Sequence, residues 1–403
     1  MSIHSVGVRQ VSSDINSGRE PKRLLPALTG IRAFAAIWVV GYHLLPQVQT
    51  LAPNWLYKLY HSFMSTGYLG VDLFFILSGF IISLNYAGRL TKGFNVTTFA
   101  NFIWLRIARI YPVHIFCLLL LVPAILLMRC LGIEVDQDRF SVESFFTNLL
   151  MIHAWRPDVI LNLTWNTPAW SISCEWLAYL LFPLLAYLAL LSKNTRVTAI
   201  LGFTSLFCVP ILIYILGKMT TFGYMDHFIR IAFEFLGGIL IFKCFSAKFG
   251  DKINWNLVLS ITLVVIYLGT NLANFLGYEY QAYFLVPLMG IVIYSLAWSE
   301  SGWSNFFSRK SVIYWGAVSY SLYMVHNLWL MVTKAVLPAE NFAQSGYFIK
   351  LGIFMIYLLP LFLLAGLTYR VVEEPARRWL SRLSTVRQLS SAAAKREETR
   401  DVL

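Results

Sequence analysis

From Tyr68 to Ala87 the chain reads YLGVDLFFILSGFIISLNYA, twenty residues with a single charge, Asp72. At 1.5 Å per residue, a helix of that length covers about 30 Å, the thickness of a bilayer's hydrocarbon core. Nine other segments have the same character: about 26–46, 110–130, 172–191, 198–217, 228–246, 255–275, 281–298, 312–333 and 349–370. The expected fold is therefore all-α, a polytopic membrane bundle of ten transmembrane helices. Pro112 is expected in the first turn of the third span, where its missing N–H costs nothing.

Composition agrees. Of 403 residues, 58% are hydrophobic and 13% charged, with a mean hydropathy of +0.64. Soluble proteins average about 45–50% apolar and about 25% charged. This excludes a soluble enzyme, a disordered chain and a disulfide-stapled secreted domain. The five cysteines form no C-x-x-C pair and read as small buried hydrophobes. Residues 1–23 are polar, with no signal-peptide pattern.

The net charge of +12 has two readings, nucleic acid or membrane orientation. With the N-terminus placed inside and ten spans alternating, 23 of the 32 Lys and Arg fall on the inner side. Eight fall outside, Arg230 among them, and Arg32 lies within the first span. The bias points to two cytoplasmic ends and calls for no nucleic acid. The domain reading is a tail at 1–22, a membrane domain at 23–379 and a basic tail at 380–403. Both tails are expected to be disordered. The longest outer loop, 131–171, and the segment near 46–66 are expected to select an acceptor.

Ionisable residues inside a membrane are expensive and mark function. Arg32 and His43, eleven apart, share one helix face about 16 Å apart along its axis. Asp72 stands at a span entrance. Arg106 and Arg109, at i and i+3, suit a phosphate clamp, because guanidinium groups bind phosphate bidentately. Ser171, Glu175 and Tyr179 form one stripe, and Ser319, Tyr323 and His326 another, with Tyr320 alongside. Glu373-Glu374-Pro375 closes the last span, with Pro375 as a helix stop. Walker, G-x-G-x-x-G and H-E-x-x-H patterns are absent, and the scattered histidines make no metal site.

Together these blocks resemble the acyltransferase-3 family of integral membrane acyltransferases. The matching residues are Arg32 with His43, the Gly67–Phe80 block around Asp72, Arg106-Ile107-Ala108-Arg109 with Pro112, Trp170-Ser171-Ile172-Ser173-Cys174-Glu175, Ser319–Tyr323 with His326, and Glu374-Pro375. They run from about 25 to 379. The resemblance implies transfer of an acyl group, often acetyl, from acyl-CoA (acetyl-CoA) to a hydroxyl of a carbohydrate or glycolipid acceptor. Exopolysaccharide and O-antigen are typical targets, the bacterial inner membrane is the typical location, and partners in polysaccharide biosynthesis are expected. Acyl-CoA is a donor substrate, and no tightly bound cofactor is implied. With no room for a further domain after the tenth span, the chain resembles the stand-alone members. By this resemblance His43 is the catalytic residue, and Arg32, Arg106 and Arg109 lie near the donor.

In the mechanism expected from these residues, His43 acts as general base and Asp72 or Glu175 orients its imidazole. Arg32, Tyr320, Tyr323 or His326 stabilises the thioester oxyanion, and Ser171 lines the substrate site. The competing class is a transporter or flippase of a lipid-linked saccharide.

Overall fold

Each of the ten apolar segments is mainly helical in the computed structural model, which describes residues 25–90, 95–155, 163–217, 226–277, 279–300 and 302–384 and has fourteen α-helices among them. In chain order these helices are α1 (Pro26–His43), α2 (Leu45–Leu51), α3 (Asn54–Met64), α4 (Gly70–Leu90), α5 (Val96–Cys130), α6 (Val142–Leu149) and α7 (Ala169–Leu191). There follow α8 (Thr195–Gly217), α9 (Asp226–Ser246), α10 (Trp255–Leu276), α11 (Val286–Trp298), α12 (Trp303–Phe307), α13 (Lys310–Val336) and α14 (Tyr347–Thr368). No strand occurs among the described residues. Leu126, Leu184, Leu268 and Leu363 point outward and are each more than half exposed, as lipid-facing side chains would be.

Seven helical stretches are long and apolar enough to cross a membrane, or eight if α1 and α2 form one span broken by a 56° bend. Pro46, in the first turn of α2, accounts for the break. The expected ten are not reached by length and composition, because α9 and α13 fall short. Asp226, Arg230, Glu234 and Lys243 dilute the first, and a stripe of Ser, Tyr and His dilutes the second. These two helices carry polar groups into the core.

Two prolines depart from expectation. Pro112 lies in the interior of α5, a 35-residue helix that starts at Val96 and is capped by the Asn95 side chain. Neighbouring helices can accommodate the carbonyl such a proline leaves unpaired. The earlier start puts Arg106 and Arg109 on the body of a helix. Pro375 does not stop the last helix. A π turn at Tyr369–Glu373 precedes it, and regular helix resumes from Glu374 to Ser384. The wide turn takes up the proline's missing hydrogen bond. Residues 380–384, expected as tail, are helical and docked on α5: Trp104 Nε1 donates to the Leu380 carbonyl at 2.8 Å. The rest of that tail, and the tail at 1–22, lie outside the described residues.

Glycines set the closest helix contacts. A Cβ on Gly238 of α9 would lie 2.1 Å from the Ile76 carbonyl oxygen of α4, and one on Gly316 of α13 would lie 1.9 Å from the Thr29 carbonyl of α1. Small residues let membrane helices touch backbone to backbone. These two contacts bring the Asp72 helix against α9 and the Arg32–His43 helix against the His326 helix.

Candidate functional site: two cavities meeting at Val71 and Tyr323

Two cavities lie along α1, called inner and outer after the orientation expected from the sequence. The inner one holds about 140 Å³ and is lined by Arg32 of α1, Ser78 of α4, Arg106 and Arg109 of α5, Ser171, Glu175 and Tyr179 of α7, and Tyr320 of α13. The outer one holds about 750 Å³, and His43, Tyr42, Trp170, Arg230 and Tyr283 are among its walls. Val71 and Tyr323 line both. The axial order on α1 matches the sequence spacing: Arg32 faces the inner cavity and His43 the outer.

In the inner cavity the three arginines are not equivalent. Arg109 is ion-paired with Glu373, which the π turn aims inward until it is 1% exposed. The other Glu373 oxygen accepts from Ser321 Oγ at 2.6 Å. Arg109 is therefore neutralised, and the expected Arg106–Arg109 clamp does not form. Arg106 stands against the rings of Tyr86, Phe102 and Tyr179, at 5.2, 5.8 and 5.9 Å. Among the described residues it donates to the Tyr86 hydroxyl at 3.2 Å, and its buried Nε has no partner. Among the described residues no carboxylate pairs with Arg106 or with Arg32. Two guanidinium groups remain open to an anion.

Glu175 faces this inner cavity and accepts from Ser78 Oγ at 2.5 Å. It does not orient His43. A backbone carbonyl does that, because His43 Nδ1 lies 2.8 Å from the oxygen of Val39. A carbonyl only accepts, so Nδ1 carries the proton and Nε2 keeps its lone pair. His326 is set the same way, with Nδ1 at 2.5 Å from the Tyr323 carbonyl and a buried Nε2 that has no partner. The two imidazoles meet edge to face at 4.8 Å. His326 in this tautomer has no second donor, so it cannot stabilise an oxyanion. Tyr320 is also committed, since its hydroxyl donates to the Ile110 carbonyl at 2.5 Å. Tyr323 shares its hydroxyl with Ser171 Oγ at 2.8 Å and reaches the Pro168 carbonyl at 2.9 Å. Of the expected oxyanion donors, only Arg32 is uncommitted.

Asp72 is the clearest correction. It is fully buried, and both its oxygens accept from Arg230, at 3.0 Å from Nε and 2.8 Å from Nη2. With its acceptors on Arg230, it does not orient His43. Arg230, expected outside, is buried in α9 with its guanidinium over Trp170 and Tyr283, at 5.1 and 5.3 Å. Glu234, one turn on, is also fully buried, and neither of its oxygens has a hydrogen-bond donor. The signal for this cluster was present in the sequence. Opposite charges at i and i+4 inside an apolar span call for a buried partner on another helix.

The loop expected to select an acceptor does reach the outer cavity, through Leu163, Thr167 and Pro168, and the 46–66 segment reaches it through His61, Ser65 and Thr66. The 3-10 turn His153–Trp155 anchors that loop. The His153 ring is buried, parallel to His114 at 6.4 Å, and both its nitrogens lack partners. Burial, and secondarily His114, push the His153 imidazole down to about 3 from its ordinary 6.5. The unfolded chain thus binds a proton between those values that the folded chain refuses, so folded stability falls as pH drops below 6.5. Thermal unfolding across pH 7 to 4 is expected to show this slope, and His153→Phe is expected to reduce it, the buried His114 keeping a share.

The family model of the acyltransferase-3 acyltransferase domain matches residues 25–371. The chain belongs to the acyltransferase-3 family. Relatives of this acyltransferase-3 chain include acyltransferase MdmB of Streptomyces mycarofaciens, 34% identical over 162 residues, covering 40% of this chain and 38% of the relative. O-acetyltransferase OatA of Staphylococcus aureus is 26% identical over 380 residues, covering 88% of this chain and 58% of the relative. A putative O-acetyltransferase of the same species is 25% identical over 377 residues, with the same coverage. The chain thus spans about half the length of the curated relatives it matches. No solved structure matches it significantly. Nothing in the family match or in these relatives supports the transporter reading.

Proposed function

We propose that this acyltransferase-3 chain is a membrane O-acyltransferase. It moves a small acyl group, acetyl in the first instance, from cytoplasmic acyl-CoA to a carbohydrate hydroxyl presented on the opposite face. The observation that carries the proposal is the axial pair of cavities. Arg32 and Arg106, neither of them salt-bridged among the described residues, line the inner one, and an imidazole with a free Nε2 lone pair lines the outer one. A thioester donor is anionic at its nucleotide end and thin along its pantetheine arm. Phosphates would sit at the inner mouth by Arg106 and Arg32, and the arm would fill the narrow inner cavity. The acceptor would occupy the larger outer cavity.

His43 Nε2 takes the proton of the acceptor hydroxyl as its oxygen attacks the thioester carbon. The carbon–sulfur bond breaks as the new ester forms, and the thiolate leaves with the proton that Nε2 returns. The whole cycle needs no acyl-enzyme intermediate. The same reading takes all ten long helices as spans, with both ends cytoplasmic. The bias of basic residues supports that orientation, and α9 and α13 would be spans whose charges are paired inside the bundle. A cytoplasmic donor would fit a location in the bacterial inner membrane.

Incubating membranes that contain the protein with labelled acetyl-CoA and extracted surface glycan tests the reading. Label is expected in the glycan, and its absence beside membranes that lack the protein would count against acyl transfer. The donor site has its own test. Arg106→Ala is expected to raise KM for acyl-CoA by roughly 10- to 100-fold, the worth of one charge-assisted contact, with a smaller effect on kcat. An unchanged KM would remove Arg106 from the donor site.

A further inference from the structure

Val71 and Tyr323 are the two residues that line both cavities, so they stand between them. Arg32 and Arg106 lie on one side of this waist and His43 on the other. If the thioester enters from the inner cavity, as the proposed function has it, the acyl group must pass between these two side chains.

Both walls are stiff. Tyr323 is 5% exposed, and its hydroxyl is held by Ser171 and by the Pro168 carbonyl. Its ring packs against Phe74 at 6.2 Å and His326 at 5.7 Å. Val71 is 6% exposed, and a β-branched side chain in a helix has one strongly preferred rotamer. A soft waist would yield to any donor. A waist made of one fixed ring and one fixed valine discriminates by girth.

We propose that Val71 and Tyr323 form a size filter on the acyl group, admitting slim, unbranched groups such as acetyl and excluding branched or aromatic ones. The proposal rests on the acyltransferase reading above and adds the residues that set donor selectivity.

The test compares kcat/KM for acetyl-, propionyl-, isobutyryl- and benzoyl-CoA in the wild-type protein and two variants. Val71→Ala removes two methyl groups and is expected to raise the isobutyryl-to-acetyl ratio by roughly tenfold or more. Val71→Ile adds one methylene and is expected to lower the propionyl-to-acetyl ratio. Opposite movement of the two variants is the signature of a filter. A variant that folds poorly loses turnover on all donors together, with the ratio fixed, and ratios fixed in both variants would overturn the filter. Acetyl transfer by the wild-type protein with fixed ratios defeats the filter alone. No transfer from any donor by the wild-type protein defeats the underlying acyltransferase reading.

Discussion

His43→Ala is expected to lower kcat for acyl transfer by about 10²- to 10⁴-fold, the usual worth of a positioned general base. KM for acyl-CoA is expected to hold, because the donor's charged end is bound at Arg106 and Arg32, in the other cavity. The protein should still insert and fold, since His43 is half-buried and its hydrogen bond is a local one to Val39 in its own helix. The imidazole needs no carboxylate to set its tautomer, so neither Asp72 nor Glu175 should reproduce the pH–rate change that loss of His43 causes. Steady-state kinetics on purified protein with varied acyl-CoA separates these effects. Turnover at the wild-type rate would remove His43 from the chemistry.

Asp72→Ala is expected to act through stability. It strips the bidentate acceptor from Arg230 and leaves a guanidinium 4% exposed, with Asp226 and Glu234 of its own helix as the remaining carboxylates. Breaking a buried pair in this way costs about 3–5 kcal/mol, because the remaining charge is left desolvated. Thermal unfolding in detergent should show a large drop, while the protein that remains folded keeps its KM for acyl-CoA. Arg230→Leu together with Asp72→Leu, which removes both charges, should recover much of that loss, since apolar side chains of similar volume can replace a buried pair. If Asp72→Ala leaves stability intact and abolishes turnover, Asp72 belongs to the catalytic machinery after all.

The ten apolar segments were legible because a membrane helix needs only length and apolarity, and each segment is mainly helical. The stripes on α7 and α13 were legible because residues at i, i+4 and i+7 share a face whatever the tertiary packing. Partner choice was not legible. Asp72 and Glu175 are both carboxylates near a histidine in the chain's logic, yet the close Gly238–Ile76 contact between α9 and α4 commits Asp72 to Arg230. Arg109 looked like a twin of Arg106 because spacing alone places them together. A π turn some 260 residues away sends Glu373 to one and not to the other, and Pro375 beside that turn does not by itself say which arginine its glutamate reaches. Tautomers were out of reach as well. That His326 and Tyr320 spend their protons on carbonyls follows from three-dimensional distances, and it strikes both from the expected oxyanion donors.

The central claim is vectorial: the donor on one face, the acceptor on the other, one bundle between. Inside-out membrane vesicles containing the protein, with acceptor glycan trapped inside and labelled acetyl-CoA added outside, test it directly. Label should appear in the enclosed glycan, and His43→Ala vesicles should fail to transfer it. Label that reaches the glycan only when donor and acceptor share a compartment would contradict the account.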